Sequence, residues 1–518
     1  MRYFVEPVEQ SEEVKKQLEE LKNHNLSPES IRLLDPACGS GHILVYAFDL
    51  LYAIYEERGY VVNDIPTLIL EKNLNGIDID DRAAQLASFA LFMKARAKSR
   101  RIFRNPPQIN IISIQESNGL SSKEIVSLIS ENEDEAKQLE LLLLTFIDAK
   151  NYGSILKPGL IDFDKYLSKV ELLKAKYDQS LFVSEERKLL SRLEHLLTQA
   201  KKLADHYEIV ITNPPYLGTK GMNSKLSEYL QENFKDSKAD LFAAFMERCL
   251  EFTKQNGFHA AINQHSWMFL SSYVNLRLNI LSNQTIMSMI HLGSRAFEDI
   301  GGEVVQSTTF VLRRMVLREA ETKYYRLIEY TDAKDKEEAF LARKHEYRTI
   351  QNEFHTIPSS PIAYWASDKV RRIFKENSKL SKIAEPRQGM ATSDNGRFLR
   401  LWFEVNVKTL GFGFSNSREA LISNKKWFPY NKGGSFRKWY GNQEYVVNWE
   451  NSGKEVMEYA TKLYKSPTRT IKNIPYYFRE CLTWSFVSSS CFGVRYSPKG
   501  FLFDVGGSSI FLDNGEFP

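Results

Sequence analysis

"LLDPACGSGHILVYAFDLL", residues Leu33 to Leu51, is the stretch that decides the fold. An apolar strand runs into Asp35, the glycines Gly39 and Gly41 let the backbone turn tightly and approach a ligand, and an amphipathic helix opens at about His42. Strand, glycine turn and helix in that order make a nucleotide-type site in a doubly wound α/β sheet. The spacing lacks the full GxGxxG dinucleotide fingerprint and the GK[ST] ending of a phosphate-binding loop, so neither pyrophosphate nor triphosphate is the favoured ligand. An adenosine compound without phosphates fits better. Further on, "LNGIDIDDRAAQLA" ends a second strand with Asp78, where an acidic side chain in doubly wound folds accepts hydrogen bonds from ribose hydroxyls. The bland alternative is a tight strand-to-helix turn, with Asp80 capping a helix.

Outward from this stretch the rhythm persists. Residues 31–119 alternate short apolar runs with helical patterns: "IRLL" and the helix from His42, "LNGIDI" and a helix opening at Asp80 or Asp81, then "QINII". That alternation predicts a parallel sheet. From Leu120 to Leu203 the chain is charged and leucine-rich, as in "EAKQLELLLLTFIDAK" and "SRLEHLLTQAKKLA", with the turn-prone "LKPGLIDF" between; it reads as an inserted helical hairpin. The β/α rhythm returns with "YEIVITNPPY", a helix across "DLFAAFMERCLEFTKQ", the strand "GFHAAIN", and the paired strands "TIMSMIHL" and "STTFVLRR". Past Glu319 the text is aromatic-rich, basic and irregular, and no repeat of fixed period is visible.

Bulk properties limit the function classes. A chain of 518 residues, 43% hydrophobic and 26% charged, is globular and long enough for two or more domains. Cys38, Cys249, Cys481 and Cys491 form no CxxC pair and no Cys/His cluster, which points away from structural zinc and disulfides and toward a reducing cytoplasm. No leader pattern opens at Met1, and no apolar run is long enough to span a bilayer, so no membrane partner is expected. The formal net charge of +4 is small, so affinity for nucleic acid must come from local basic surface.

A second stretch, "IVITNPPYLG" at 209–218, places two prolines and a tyrosine after a buried-strand pattern. The prolines remove two backbone donors and stiffen the chain where it leaves the sheet. "DPACGSG", then "GIDID", then "NPPY", on successive strands, resemble the gamma-type amino-group DNA methyltransferases, which use S-adenosyl-L-methionine. That likeness covers the β/α parts of residues 31 to 315. "IQESNGL", "RQGMATSDNGRFLRLWFEV" and "WFPYNKGGSFRKWYGNQEYVVNWEN" further resemble the PglX type of adenine-specific methyltransferase found in BREX phage-exclusion systems, which extends the likeness through most of the chain.

The resemblance implies a site-specific N6-adenine methyltransferase acting on double-stranded DNA, with other phage-defence proteins as possible partners. The exocyclic amine of adenine is a poor nucleophile because its lone pair is delocalised into the ring. In the family reading, the Asn213 side-chain oxygen and the Pro214 carbonyl each accept one amino hydrogen and turn that lone pair toward the methyl group, which is positioning plus electrostatics. Pro215 helps to hold the carbonyl rigidly, and Tyr216 stacks on a base flipped out of the duplex. Asp35, Pro36, Ala37, Gly39 and Gly41 match the methionine-binding turn, and Asp78 matches the ribose ligand. Glu116, or Gln115 beside it, falls where the family places a group that recognises the cofactor adenine; a solvated loop carboxylate is the alternative. Methyl transfer of this kind calls for no metal.

DNA is expected to be read in the C-terminal region, a mixed α+β target-recognition area. "KKWFPYNKGGSFRKWY" carries Lys425, Lys426, Lys432, Arg437 and Lys438 among aromatic rings with no acidic residue, a composition suited to phosphate contact, groove reading and stacking. The expected boundaries are 1–30 for an N-terminal helical remnant, 31–119 for the cofactor half, and 120–205 for the insert. They continue with 206–330 for the catalytic half, 331–380 for a linker or helical connection, and 381–518 for partial target recognition. A structural role at the surface is the expectation for the insert. Only thirty residues precede the DPACGSG strand, where the family carries a closing segment, and the chain stops at "SSIFLDNGEFP"; both features read as a fragment of a longer product. The alternatives are the modification part of a fused restriction enzyme, for which no PD-(D/E)xK centre is visible, and a non-catalytic DNA- or partner-binding piece.

Overall fold

The structure is a computed structural model that describes residues 3–22, 26–177, 185–297, 305–487 and 491–512. The final residues 513–518, on which the fragment reading partly rests, lie outside the described residues. The chain divides into two compact units, Met1–Lys375 and Glu376–Pro518.

The first unit is built on a nine-stranded sheet. Its strands are β1 (Leu33–Asp35), β2 (Leu74–Asp78), β3 (Asn110–Ser113), β4 (Tyr207–Thr212), β5 (Thr253–Gln264), β6 (Thr285–Gly293), β7 (Ser307–Arg313), β8 (Glu321–Arg326) and β9 (Glu346–Ile350). The spatial order is β3-β2-β1-β4-β5-β7-β6-β8-β9. The first five neighbours pair in parallel, with Leu33 in register with Leu74 on one side and Ile209 on the other. β7 then runs antiparallel between β5 and β6. The chain steps outward from β1 to β3 and returns past its start to β4, so the strand order reverses between β1 and β4. Ligands of doubly wound sheets bind at such a reversal, beyond the carboxyl ends of the strands.

Alternate residues of these strands face opposite layers, as the two-residue period requires. Leu33, Leu74 and Ile209 pack with Leu44, Phe48, Leu51, Ala87 and Leu91 of the helices His42–Glu57 and Asp81–Lys98. Leu34, Ile77 and Val210 turn the other way into a second core. That second layer is where the structure corrects the expected hairpin. The described residues of the insert form four helices, Ser122–Ile129, Glu133–Thr145, Phe163–Tyr177 and Glu185–Ala204, with short 3-10 turns at Ala149–Asn151 and Gly153–Ile155. Its Leu139, Leu142, Leu143, Leu193, Leu196 and Leu197 share one core with Leu34 and Val210. The leucine richness therefore reflects a covering layer of the sheet, since an isolated surface hairpin would need a narrower apolar stripe.

The region 331–380, expected as a connection, also holds sheet structure. β9 pairs antiparallel with β8, and a helix, Ala333–Leu341, links them. Tyr324 and Tyr325 of β8 are buried in two different clusters, which explains an aromatic text without regular apolar alternation. No helix among the described residues is long and apolar enough to cross a membrane.

The second unit carries two four-stranded sheets. Its strands are β10 (Ala384–Arg387), β11 (Leu399–Leu401), β12 (Trp427–Asn431), β13 (Tyr445–Asn448), β14 (Cys481–Trp484), β15 (Val494–Ser497), β16 (Leu502–Phe503) and β17 (Ser509–Leu512). The orders are β10-β17-β14-β15 and β11-β13-β12-β16. Phe428, Tyr430, Val447, Trp449, Phe478, Phe503 and Phe511 form its shared core.

A buried cation fastens the insert to the rest of the first unit. Arg248, on the helix Leu241–Phe252, donates to the carbonyls of Leu156 at 2.9 Å, Leu203 at 2.6 Å and Ser154 at 3.3 Å, and pairs with Glu251 at 2.9 Å. Removing it strands three carbonyls in a dry layer. Arg248→Ala should lower the unfolding free energy of this unit by about 3 kcal/mol, read from denaturant midpoints. A change within about 0.5 kcal/mol, the usual range for surface substitutions, would show that the insert is held by its leucines alone.

Candidate active site

The turn after β1 is held open by its glycines. Gly39 has φ +51° and Gly41 has φ +83°, both in the left-handed region. A Cβ on Gly41 would lie 2.9 Å from the Cβ of Ala87, so glycine is what lets the helix Asp81–Lys98 pack there. A Cβ on Gly39 would meet nothing within 4 Å, so this backbone faces open space where a ligand can approach. The Gly39 N–H donates to Asp78 Oδ2 at 2.8 Å, and the Asp80 N–H donates to Asp78 Oδ1 at 2.9 Å. Those bonds fix the Asp78 carboxylate at the junction of β1 and β2. Each carboxylate oxygen can accept again, which leaves capacity for two hydroxyls. Asp35 is 1% exposed, and burial pushes its carboxyl up to about 7, against the pull of the Ala37 N–H at 3.1 Å. Among the described residues, no Lys, Arg or His pairs with this carboxyl.

At the neighbouring strand end, β4 leaves the sheet at Thr212 and delivers Asn213 exposed, Pro214 buried, Pro215 exposed and Tyr216 half-buried. The Tyr216 hydroxyl donates to the Ile262 carbonyl at 2.9 Å and stands 3.3 Å from Asn213 Oδ1. Its ring meets Phe242 edge-on, with centroids 6.1 Å apart. Burial pushes this phenol up to about 12, so it remains a donor at ordinary pH. The Asn213 amide is thus solvent-facing and oriented by a neighbour. Asp240 pins the next residues: its Oδ1 accepts the Leu217 N–H at 2.9 Å, while the Leu241 N–H donates to the Leu217 carbonyl at 3.0 Å.

Residues 148–155 of the insert tie these loops together. Ser154 Oγ donates to the Pro36 carbonyl, and a Cβ on Gly153 would lie 2.8 Å from Ile79 Cγ2. The Lys150 N–H donates to Glu116 Oε1 at 3.1 Å, while Lys150 Nζ pairs with Asp81 at 2.8 Å. The Lys150 ammonium is the main cause holding the Asp81 carboxyl down at about 2. Asn223 Nδ2 donates to Asn151 Oδ1 at 2.7 Å, linking the insert to the helix Ser224–Asn233 that follows the NPPY loop. The strand ends bring Asp35, Pro36, Ala37, Gly39, Gly41 and Asp78 beside Asn213–Tyr216, and Lys150 ties Glu116 to Asp81, at the start of the helix that follows β2. Sequence reasoning missed Asp240 and Ser154. Asp240 has a visible signal, an Asp before the apolar helix "LFAAF", whereas Ser154 has none.

The five basic residues expected at DNA lie in the second unit and are not alike. Lys425 Nζ donates to the Lys408 carbonyl at 2.5 Å, Lys426 Nζ stands 3.6 Å from Glu450, and Lys432 Nζ bonds to the buried Asp504 at 2.6 Å. Arg437 and Lys438 are exposed. Among the described residues, no group of three or more His, Cys, Asp or Glu is placed to hold a metal ion.

Comparison with known proteins adds to this geometry. A family described as Eco57I restriction-modification methylase matches residues 72–297. The adenine-specific methyltransferase BrxX of Escherichia coli O9:H4 (strain HS) is 41% identical over 544 residues, covering 100% of this chain and 43% of BrxX. The adenine-specific methyltransferase PglX of Lacticaseibacillus casei (strain Zhang) is 40% identical over 495 residues, covering 94% of this chain and 41% of PglX. Among solved structures, that of the Type IIL restriction-modification enzyme MmeI in complex with DNA aligns at 16% identity and a TM-score of 0.49, covering 96% of this chain and 60% of MmeI. The chain spans less than half the length of the two curated relatives, and within that span it belongs to the family of the adenine-specific methyltransferases BrxX and PglX.

Proposed function

We propose that this chain transfers a methyl group from S-adenosyl-L-methionine to the N6 amine of an adenine flipped out of double-stranded DNA, in a cytoplasmic phage-defence system of the BREX type. The observation that carries the reading is the exposed Asn213 amide at the end of β4, oriented by Tyr216 and adjacent across the strand reversal to the open glycine turn of β1.

The residues fit the cofactor. The Gly39 backbone faces open space that no side chain fills, Asp78 retains acceptor capacity for the ribose hydroxyls, and the uncompensated Asp35 is suited to a ligand that carries cationic groups. Pro36 and Ala37 shape the same turn, with Ser154 holding the Pro36 carbonyl from the insert side. Glu116 has one oxygen engaged by the Lys150 N–H and a second oxygen to accept from the adenine amine of the cofactor. When bound, S-adenosyl-L-methionine supplies an electrophilic methyl group on a sulfonium.

The chain's own residues then act on the substrate base. Asn213 Oδ1 and the Pro214 carbonyl each accept a hydrogen bond from the amine, which draws the lone pair out of conjugation and aims it at the methyl; once the N–C bond has formed, the cationic nitrogen gives up one of its protons to the solvent that reaches exposed Asn213. Tyr216 donates its hydroxyl proton to the backbone and so fixes its ring beside the amide, where it offers a face to the flipped base. Pro214 and Pro215 keep the acceptors from relaxing away. This is catalysis by preorganised acceptors, with no strong base required to ionise the amine.

Asn213→Ala should lower methylation by about 100-fold or more, the usual consequence of removing one preorganised hydrogen-bonding group, while leaving cofactor affinity within about two-fold. Long-read modification sequencing of DNA from a methylation-free host, beside calorimetry of cofactor binding, checks both. Undiminished N6-methyladenine in the variant would remove Asn213 from the reaction.

Asp35 gives a prediction of opposite sign for stability and function. Its folded-state pKa, near 7, lies above the unfolded value, so burial of the charge costs stability as pH rises from about 4 to 7, and the cost is complete above 7. Asp35→Asn should therefore stabilise the ligand-free chain at pH 8 by on the order of 2–4 kcal/mol, with the gain vanishing below pH 4. The same variant should bind S-adenosyl-L-methionine at least ten-fold more weakly, because a neutral amide keeps an acceptor but loses the charge that attracts a cationic ligand. Equal thermal stability of the two chains at pH 8 would contradict the burial cost.

A further inference from the structure

Beyond Lys432 the basic stretch of the second unit changes character. The six residues Ser435–Tyr440 are all exposed, with Phe436 at 44%, Trp439 at 75% and Tyr440 at 63%. Chains that expose three large rings in six residues normally bury them on something.

The loop's exposure is imposed by its backbone. The Gly434 carbonyl accepts from Ser485 Oγ at 2.7 Å, and the Ser435 carbonyl accepts from Asn442 Nδ2 at 2.8 Å. The Trp439 N–H donates to the Val494 carbonyl at 2.9 Å, and the Trp439 carbonyl accepts the Tyr496 N–H at 2.8 Å, so this residue is stitched to β15 on both sides. A Cβ on Gly493 would lie 2.6 Å from the Arg437 carbonyl, which shows how closely the support approaches. Trp439 itself is held at φ +72°, a region that bulky side chains avoid. Such strain persists where the surroundings over-determine it, and it is concentrated at binding sites. Here the strain directs an indole into solvent.

Charge narrows the choice of partner. From Asn431 to Gln443 the sequence "NKGGSFRKWYGNQ" has three cations and no carboxylate, and the first cation, Lys432, is already neutralised by Asp504. Arg437 and Lys438 are left to face outward beside the rings, with Lys438 Nζ 5.9 Å from the centre of the Phe436 ring. A rigid projection that combines two cations, exposed aromatic rings and no acid matches a polyanion with π-faces.

We propose that Ser435–Tyr440 is the loop with which the second unit enters a groove of double-stranded DNA. Arg437 and Lys438 contact phosphates, and Trp439 lies against base edges and sets sequence preference. This rests on the methyltransferase reading and deepens it, because it separates two cations that meet DNA from three that serve the fold.

The test uses the full chain and a short fluorescent duplex carrying the sequence that the chain methylates, beside a scrambled duplex, over a range of salt concentrations. Arg437→Ala with Lys438→Ala should reduce the slope of log K against log salt by about 2 on both duplexes. Trp439→Ala should leave that slope unchanged and cut the preference for the target duplex by about 5- to 100-fold. Trp439→Gly serves as the second variant, since glycine adopts positive φ without strain: it should unfold no more easily than the parent chain, yet show the same lost preference. Full preference in both Trp439 variants, or an unaltered salt slope in the double variant, overturns the proposal while methylation by the parent chain stands. A parent chain that neither binds duplex DNA nor methylates it overturns the proposal together with the function on which it rests.

Discussion

The parallel pairing of β1 with β2 on one side and β4 on the other is the constraint on which the rest depends. Two parallel neighbours whose connections leave in opposite directions cannot both be covered at their carboxyl ends, so a crevice opens there. Into that crevice the sequence delivers two turns of opposite mechanical character. After β1 the glycines remove side chains and let backbone approach a ligand; after β4 the prolines remove freedom and hold a polar amide outward. An open cradle and a rigid acceptor on adjacent strands are what a group transfer between two bound molecules needs.

The second covering layer of the sheet is tied to the same crevice. Arg248 anchors the insert through three carbonyls, one of them that of Ser154, whose hydroxyl holds the carbonyl of Pro36 in the glycine turn. Lys150 joins Asp81 and the Glu116 carboxylate from the same segment. The insert therefore braces the glycine-turn side of the crevice as well as burying the sheet.

What was legible in the sequence was local. The glycine spacing at Gly39 and Gly41, the acid at Asp78 and the rigid Asn213–Tyr216 turn each express their physics within a few residues, and all stand at strand ends as read. The paired strands β6 and β7 were equally plain from their two-residue alternation. What escaped was non-local. Ser154 reaches Pro36 across 118 residues, and Lys432 meets Asp504 across 72, so a stretch that looks purely basic in sequence has three of its cations engaged by distant carboxylates or carbonyls. The insert misled because leucine periodicity reports that a helix is buried without saying against what. β8 and β9 were hidden by tyrosines that bury their rings in different clusters and so break a simple apolar pattern. The left-handed Trp439 has no sequence signal, because its conformation is imposed by β15 from outside.

The central claim, that the reversal between β1 and β4 is a cofactor crevice facing the Asn213 amide that holds the substrate amine, is tested most directly by a crystal structure of this chain with S-adenosylhomocysteine. The account predicts the ligand against the Gly39 backbone, its ribose hydroxyls on Asp78, and its sulfur directed toward the Asn213 side. A ligand bound elsewhere on the sheet, with the Gly39 turn left to solvent and Asp78 uncontacted, would contradict it.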